Sequence, residues 1–279
     1  NFMYRQNSLG HVMHHTSFYV IQGDARSEET LKSLVAKSDI IIPLAALVGA
    51  TLCDKNPMEA ITTNRDSVRT LTKLMSKTQQ MIMPITNSGY GIGEAGKFCT
   101  EETPLKPVSL YGRTKVEAEE IALDFGNTVS LRLATVFGIS PRMRIDLLVN
   151  DFVYRACKDR FIIIFEGHFK RNYIHVRDVA RGFIHSLENF DEMQGNAYNV
   201  GLSNANLSKL QLCAKIKEFV PELYIHTAEI GEDPDKRDYL VSNEKIESLG
   251  WSPDHTLDDG IPELIKGYSI IQHNSLANA

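Results

Sequence analysis

Four short apolar runs, separated by amphipathic stretches, set the tightest limit on what this chain can fold into. They are Phe18-Tyr-Val-Ile-Gln22, Asp39-Ile-Ile-Ile-Pro-Leu-Ala45, Met81-Ile-Met-Pro-Ile-Thr86 and Thr128-Val-Ser-Leu-Arg-Leu-Ala134. A strand that is apolar at nearly every residue, rather than at every second one, is covered on both faces. Helical patterns over residues 28–37, 57–77 and 111–124 lie between these runs. Ser27 can cap the first of them ahead of Glu28 and Glu29, and Pro57 suits the opening turn of the second. Strand and helix in alternation predict an α/β protein with a doubly wound parallel sheet.

The rhythm changes after about residue 138. Helical segments at 145–158, 176–189 and 208–220 mix with short strands near 161–165, 198–200 and 224–228. This predicts a first unit over residues 1–138 and a smaller α/β cap over 139–279, with segments around 172–190 returning to the sheet. The 279 residues suffice for one large and one small core. Net charge is -5 with no block of Lys or Arg, which argues against a nucleic-acid surface or a polybasic membrane patch. The longest apolar run, residues 40–50, is too short to span a bilayer. Cys53, Cys99, Cys157 and Cys213 form no C-x-x-C pair and read as reduced thiols of a cytoplasmic protein. His14 and His15 adjoin without other ligand-spaced residues, so no metal site is expected.

Chemistry concentrates at Tyr111-Gly-Arg-Thr-Lys115, at the start of a predicted helix. A spacing of four puts the phenol and the ammonium on one helical face. That pair is common by chance, but here it follows a strand ending Ile85-Thr86-Asn87-Ser88-Gly89-Tyr90-Gly91. Open parallel sheets hold ligands at such strand ends. A phenol titrates near 10, and a neighbouring ammonium favours its ionised form. A phenolate brought nearer 7 can take a hydroxyl proton while hydride leaves the same carbon. A Thr or Ser hydroxyl at the strand end would hold the reacting oxygen.

The order of short motifs resembles that of the extended short-chain dehydrogenases/reductases, the family of NAD-dependent nucleotide-sugar epimerases and dehydratases. It runs Gly23-Asp24-Ala-Arg26, Leu44-Ala45-Ala46, Thr86-Asn-Ser-Gly-Tyr-Gly91, Tyr111-x-x-x-Lys115 and Arg171-Asn-Tyr-Ile-His-Val-Arg-Asp178. The resemblance implies a Rossmann-like fold, NAD as cofactor and a nucleotide-diphosphate sugar as substrate. It implies that Asp24, with Ala25 beside it, contacts the adenine, that Leu44, Ala45 and Ala46 pass under the cofactor, and that Asn64 braces the central strands. Tyr111 becomes the base, and Lys115 lowers its pKa and holds the nicotinamide ribose. Thr86 is the hydroxyl partner, with Ser88 ranked second. Arg171 matches a diphosphate-binding Arg and Arg237 a second one near the nucleotide. Arg142 and Arg144 at the cap boundary, with Asn87 and Ser88, complete the substrate candidates. The 4,6-dehydratases of the family carry Asp-Glu after the hydroxyl residue. Asn87-Ser88 stands here instead, and neither side chain exchanges protons near neutral pH, which leaves oxidation or epimerisation.

Within the family, Leu44-Ala-Ala-Leu-Val-Gly-Ala50, Asn87-Ser-Gly-Tyr-Gly-Ile-Gly93, Arg132-Leu-Ala-Thr-Val-Phe-Gly138 and residues 231–243 are similar to the subgroup that oxidises GDP-manno-heptose at C4 in capsule biosynthesis. The resemblance also implies a homodimer through the helices at 57–77 and 111–124. Alternatives are a 4-epimerase that keeps its NADH, and a catalytically idle nucleotide-binding protein on the same fold. One departure stands out: the G-x-x-G-x-x-G turn that receives the pyrophosphate is missing, which suggests that a β–α–β unit of roughly thirty residues lies ahead of Asn1.

Overall fold

The computed structural model describes residues 6–228 and 237–270. Its strands are β1 (Ile40–Ile41), β2 (Gln80–Thr86), β3 (Phe98–Cys99), β4 (Thr128–Leu133), β5 (Thr135–Phe137), β6 (Phe161–Ile164), β7 (Lys170–His175), β8 (Asn196–Val200), β9 (Asn206–Ser208), β10 (Tyr224–Thr227) and β11 (Leu240–Val241). The main sheet is all parallel, in the order β1-β2-β4-β8. Its helices include α1 (Glu28–Val35), α2 (Ala50–Lys55), α3 (Pro57–Ile61), α4 (Ser67–Leu74), α5 (Leu110–Phe125), α6 (Leu148–Lys158) and α7 (Val176–Glu188). A π-helical turn, Thr62–Asp66, joins α3 to α4.

Both faces of β2 are covered, as its continuous apolar run requires. Met81, Met83 and Ile85 pack with Val68 and Leu71 of α4 and Ala118 and Ala122 of α5. Ile82 faces the other way, with Val129 and Leu131 of β4 and with Val179 and Phe183 of α7. On the α5 side of β4 the alternation delivers Ser130 and Arg132 to Glu119. The expected Ser27 cap forms, accepting from the Thr30 amide, and Ser208 builds a reciprocal cap with Gln211.

Two strand expectations fail, for one reason. Residues 18–22 form no strand and Tyr19 is 81% exposed; β1 keeps only Ile40 and Ile41 of the predicted 39–45. A strand is made by its neighbours, and β1 pairs only with β2, through Gln80 and Met81. No other described strand lies beyond it.

The second unit has its own core, built from Val149, Phe152 and Val153 of α6 with Leu212 and Ile216 of α9 (Lys209–Phe219) and Ile261 and Leu264 of α11 (Leu257–Tyr268). The return to the sheet reaches further than residues 172–190, because β8 forms its edge and α7 lies on its face. Buried Asp178, in the first turn of α7, accepts from the amides of Asp254 and His255 and so ties the chain ahead of α11 to this helix.

Candidate active site

The cleft lies outside the carboxyl ends of β2 and β4, where such sheets place ligands. It has a volume of about 830 Å³. Strand β2 ends at Thr86, whose hydroxyl accepts the Ser88 amide and starts a tight turn, Asn87–Tyr90. The turn leaves through Gly91 at φ +66°, where a Cβ would sit 2.0 Å from the Lys106 carbonyl oxygen. Ser109 caps α5 by accepting the Gly112 amide, so Tyr111 and Lys115 fall in its first two turns and both line the cleft.

Thr86 lines the cleft with Tyr111, and its Oγ1 lies 2.9 Å from Ser88 Oγ. The two hydroxyl candidates thus belong to one chain, with Thr86 next to the phenol and Ser88 behind it. Burial raises the Tyr111 pKa, opposed first by the Arg237 guanidinium, then by the Thr86 hydrogen bond and by Arg144. The cations that favour the ionised phenol here are the guanidiniums of Arg237 and Arg144.

Lys115 is 5% exposed, and burial pushes it down to about 8 against the pull of Glu119. No hydrogen bond or ion pair engages its ammonium among the described residues. The Glu119 carboxylate one turn on is occupied by Ser130 and Arg132. A buried ammonium facing a cleft suits the hydroxyls of a ribose, so this end of the site fits NAD. Such a lysine is a cost to folding. Below about pH 8 it is protonated in both states and its burial penalty is fully present; the penalty is relieved as pH rises through 8 toward 10.5. Lys115→Met is therefore expected to stabilise the protein at pH 7, by an amount on the order of 3 kcal/mol. The gain should shrink at pH 10, read by denaturant unfolding at both pH values. A gain that does not depend on pH would contradict this account.

Of the remaining candidates, Leu44, Ala46, Ser88, Arg142, Arg144, Arg171 and Arg237 line the cleft. Arg171 is buried, donates to the Lys170 carbonyl at 2.9 Å and lies over the Tyr239 ring. Arg144 pairs with Asp146 at 2.5 Å. Ala45 is not part of the lining. Asn64, in the π-helical turn, is buried behind it: its side chain bonds both the amide and the carbonyl of Leu47, at 2.8 and 2.9 Å, and Thr114 at 3.2 Å. It pins the segment after Ala46 to α5, where the family resemblance implies bracing of the central strands, and it makes no cleft contact.

Three assignments need correction. Asp24 and Ala25 lie off the cleft, and Asp24 is held by Arg26 through a bidentate pair on an exposed loop. With residues 18–22 outside any sheet, nothing presents that loop to the site. Asn87 is buried, with neither side-chain polar atom hydrogen-bonded, and unlike its equally buried neighbour Ser88 it does not line the cleft. Within 231–243, residues 231–236 lie outside the described residues. Sequence reasoning missed Tyr239 and Lys209, which also line the cleft. Lys209 was visible only as the first residue of a capped helix, which carries no hint of a site.

With this geometry in hand, comparison with known proteins is decisive at family level. Residues 3–201 match the model of the NAD dependent epimerase/dehydratase family. The chain belongs to this family. It is 29% identical to the low-salt glycan biosynthesis protein of Haloferax volcanii, over 95% of this chain and 86% of that one. It is 25% identical to the dTDP-D-glucose 4,6-dehydratase of Mus musculus, over 96% of this chain and 78% of that one. A dTDP-glucose 4,6-dehydratase of Bacillus anthracis, solved in complex with NAD, superposes with a TM-score of 0.80 at 21% identity, covering 96% of this chain and 84% of that one. The fold is that of the family, an enzyme family that uses NAD. No helix among the described residues is long and apolar enough to cross a membrane.

Proposed function

We propose that this chain oxidises a nucleotide-activated sugar by passing hydride to NAD, with C4 of a GDP-heptose or related hexose as the reacting carbon. The observation that carries the reading is that the phenol of Tyr111 lines one cleft with the Thr86 hydroxyl and with buried Lys115 one helical turn away. Tyr111 takes the sugar hydroxyl proton, Thr86 orients that oxygen, and Lys115 and the Leu44–Ala46 segment hold the cofactor. When bound, NAD supplies the hydride acceptor. Arg171, with Arg237, Arg142 and Arg144, presents guanidinium donors to the diphosphate. Asn87 and Ser88 stand where acid–base elimination would need carboxyls, which supports oxidation without loss of water.

The same site serves a 4-epimerase that returns hydride to the opposite face, and the family's name favours keeping that reading second. Supplying NAD and GDP-manno-heptose separates them. Accumulating NADH and a keto sugar is the expected result; an inverted sugar with no lasting NADH indicates the epimerase, and tight binding of both ligands without turnover an idle binding protein. We further propose a cytoplasmic homodimer through α3–α4 and α5, on the strength of the family resemblance.

A further inference from the structure

Arg237 reaches the reacting end of the cleft. Its Nη1 donates to Ser88 Oγ. Ser88 is 1% exposed, its Oγ is 2.9 Å from Thr86 Oγ1, and its amide donates to the same Thr86 oxygen at 3.1 Å. Thr86 lines the cleft with Tyr111, and its hydroxyl favours the ionised form of that phenol. A guanidinium can only donate, whereas each hydroxyl has one proton to give. Ser88 Oγ, accepting from Arg237, still has its own proton to give to Thr86. Thr86 Oγ1, already accepting from the Ser88 amide, directs its proton to the Tyr111 oxygen. The whole chain then donates in one direction, toward an oxygen that must carry negative charge to act as a base.

We propose that Arg237 is a positioning residue for the proton transfer, orienting the Ser88 and Thr86 hydroxyls so that both donate toward Tyr111. This rests on the reading of Tyr111 as the base. A guanidinium kept only for a substrate diphosphate would have no use for Ser88. Other charged or titratable groups facing the phenol are Arg144 with its partner Asp146, Lys115 on the same helix with Glu119 beyond it, and Cys53 of α2. None of these enters the hydroxyl chain, so the relay can be cut without removing them.

An ultraviolet difference titration of the full chain against Tyr111→Phe isolates the ionisation of this one phenol and needs no substrate. Ser88→Ala breaks the chain and leaves the guanidinium; Arg237→Gln removes the charge; Arg237→Lys restores charge without the planar fork. The expected result is a midpoint raised by about one pH unit in Arg237→Gln, raised in the same direction in Ser88→Ala, and intermediate in Arg237→Lys. A midpoint unmoved in both Ser88→Ala and Arg237→Gln overturns the proposal. A rise in Arg237→Gln with none in Ser88→Ala overturns it too, since the charge would then act through space alone. Undiminished sugar oxidation by Tyr111→Phe would instead remove the assignment of the base and leave the titration result standing.

Discussion

Tyr111→Phe is expected to lower the rate of NADH formation from a nucleotide sugar by roughly 10²- to 10⁴-fold, the usual contribution of a positioned general base. Only one oxygen is lost. The ring stays in the first turn of α5, and the Ser109 cap and the α4–α5 packing do not involve the phenol. NAD binding, followed by calorimetry, should therefore survive while turnover falls. Thr86 keeps its bonds to Ser88, so the turn after β2 should hold its shape. Hydride transfer at the parent rate would rule out Tyr111 as the base and with it the proposed mechanism.

Glu119→Gln should give the largest loss of stability, about 3–5 kcal/mol, because it strands a buried guanidinium. Arg132 and Glu119 meet in a bidentate pair, with hydrogen bonds between 2.9 and 3.1 Å and side-chain exposures of 8% and 2%. Arg132 also donates to Tyr90 Oη and to the Glu101 carbonyl, and Tyr90 donates to Asn199 of β8. One ion pair thus joins β4, α5, β8 and the turn after β2. Replacing both partners, as Glu119→Leu with Arg132→Met, should recover most of the loss, since an apolar pair leaves no charge unmet. Chemical denaturation of the three proteins is the measurement. A single variant as stable as the parent would show that water reaches Arg132 and that the pair is not buried in solution.

Much of the fold was legible because both periods of the sequence report burial directly. The run from Met81 to Ile85 says that both faces are covered, and the structure covers them with α4 and α5 on one side and α7 on the other. Residues 18–22 carry an equally good signal and form no strand. Local pattern measures what a segment could bury; it does not supply the neighbouring strand whose amides and carbonyls it must meet. The same limit explains Asp24, a sound match to a family motif on a loop that the described structure leaves at the surface.

At the site, residues adjacent in sequence were easier to read than residues brought together. Tyr111 and Lys115 sit one helical turn apart, so their shared face follows from helix geometry. Thr86 follows from the strand end before the Tyr90-Gly91 pair. Ser88 and Arg237 stand 149 positions apart, and no spacing could announce their contact. Charge was harder still. Sequence put Lys115 forward as the group that lowers the phenol, whereas burial raises the phenol, lowers Lys115 to about 8, and leaves the guanidiniums of Arg237 and Arg144 as the stronger opposing charges.

The sequence alone therefore determined a parallel sheet covered on both faces, the helix that carries the phenol and ammonium, and the family to which both belong. These depend on interactions within a few residues and on burial that periodicity encodes. Only the tertiary structure decided that Ser88 lines the cleft while Asn87 does not, that Arg237 reaches Ser88, and that burial opposes ionisation of the phenol. Those outcomes depend on distance and on local dielectric, and both are properties of the packed chain.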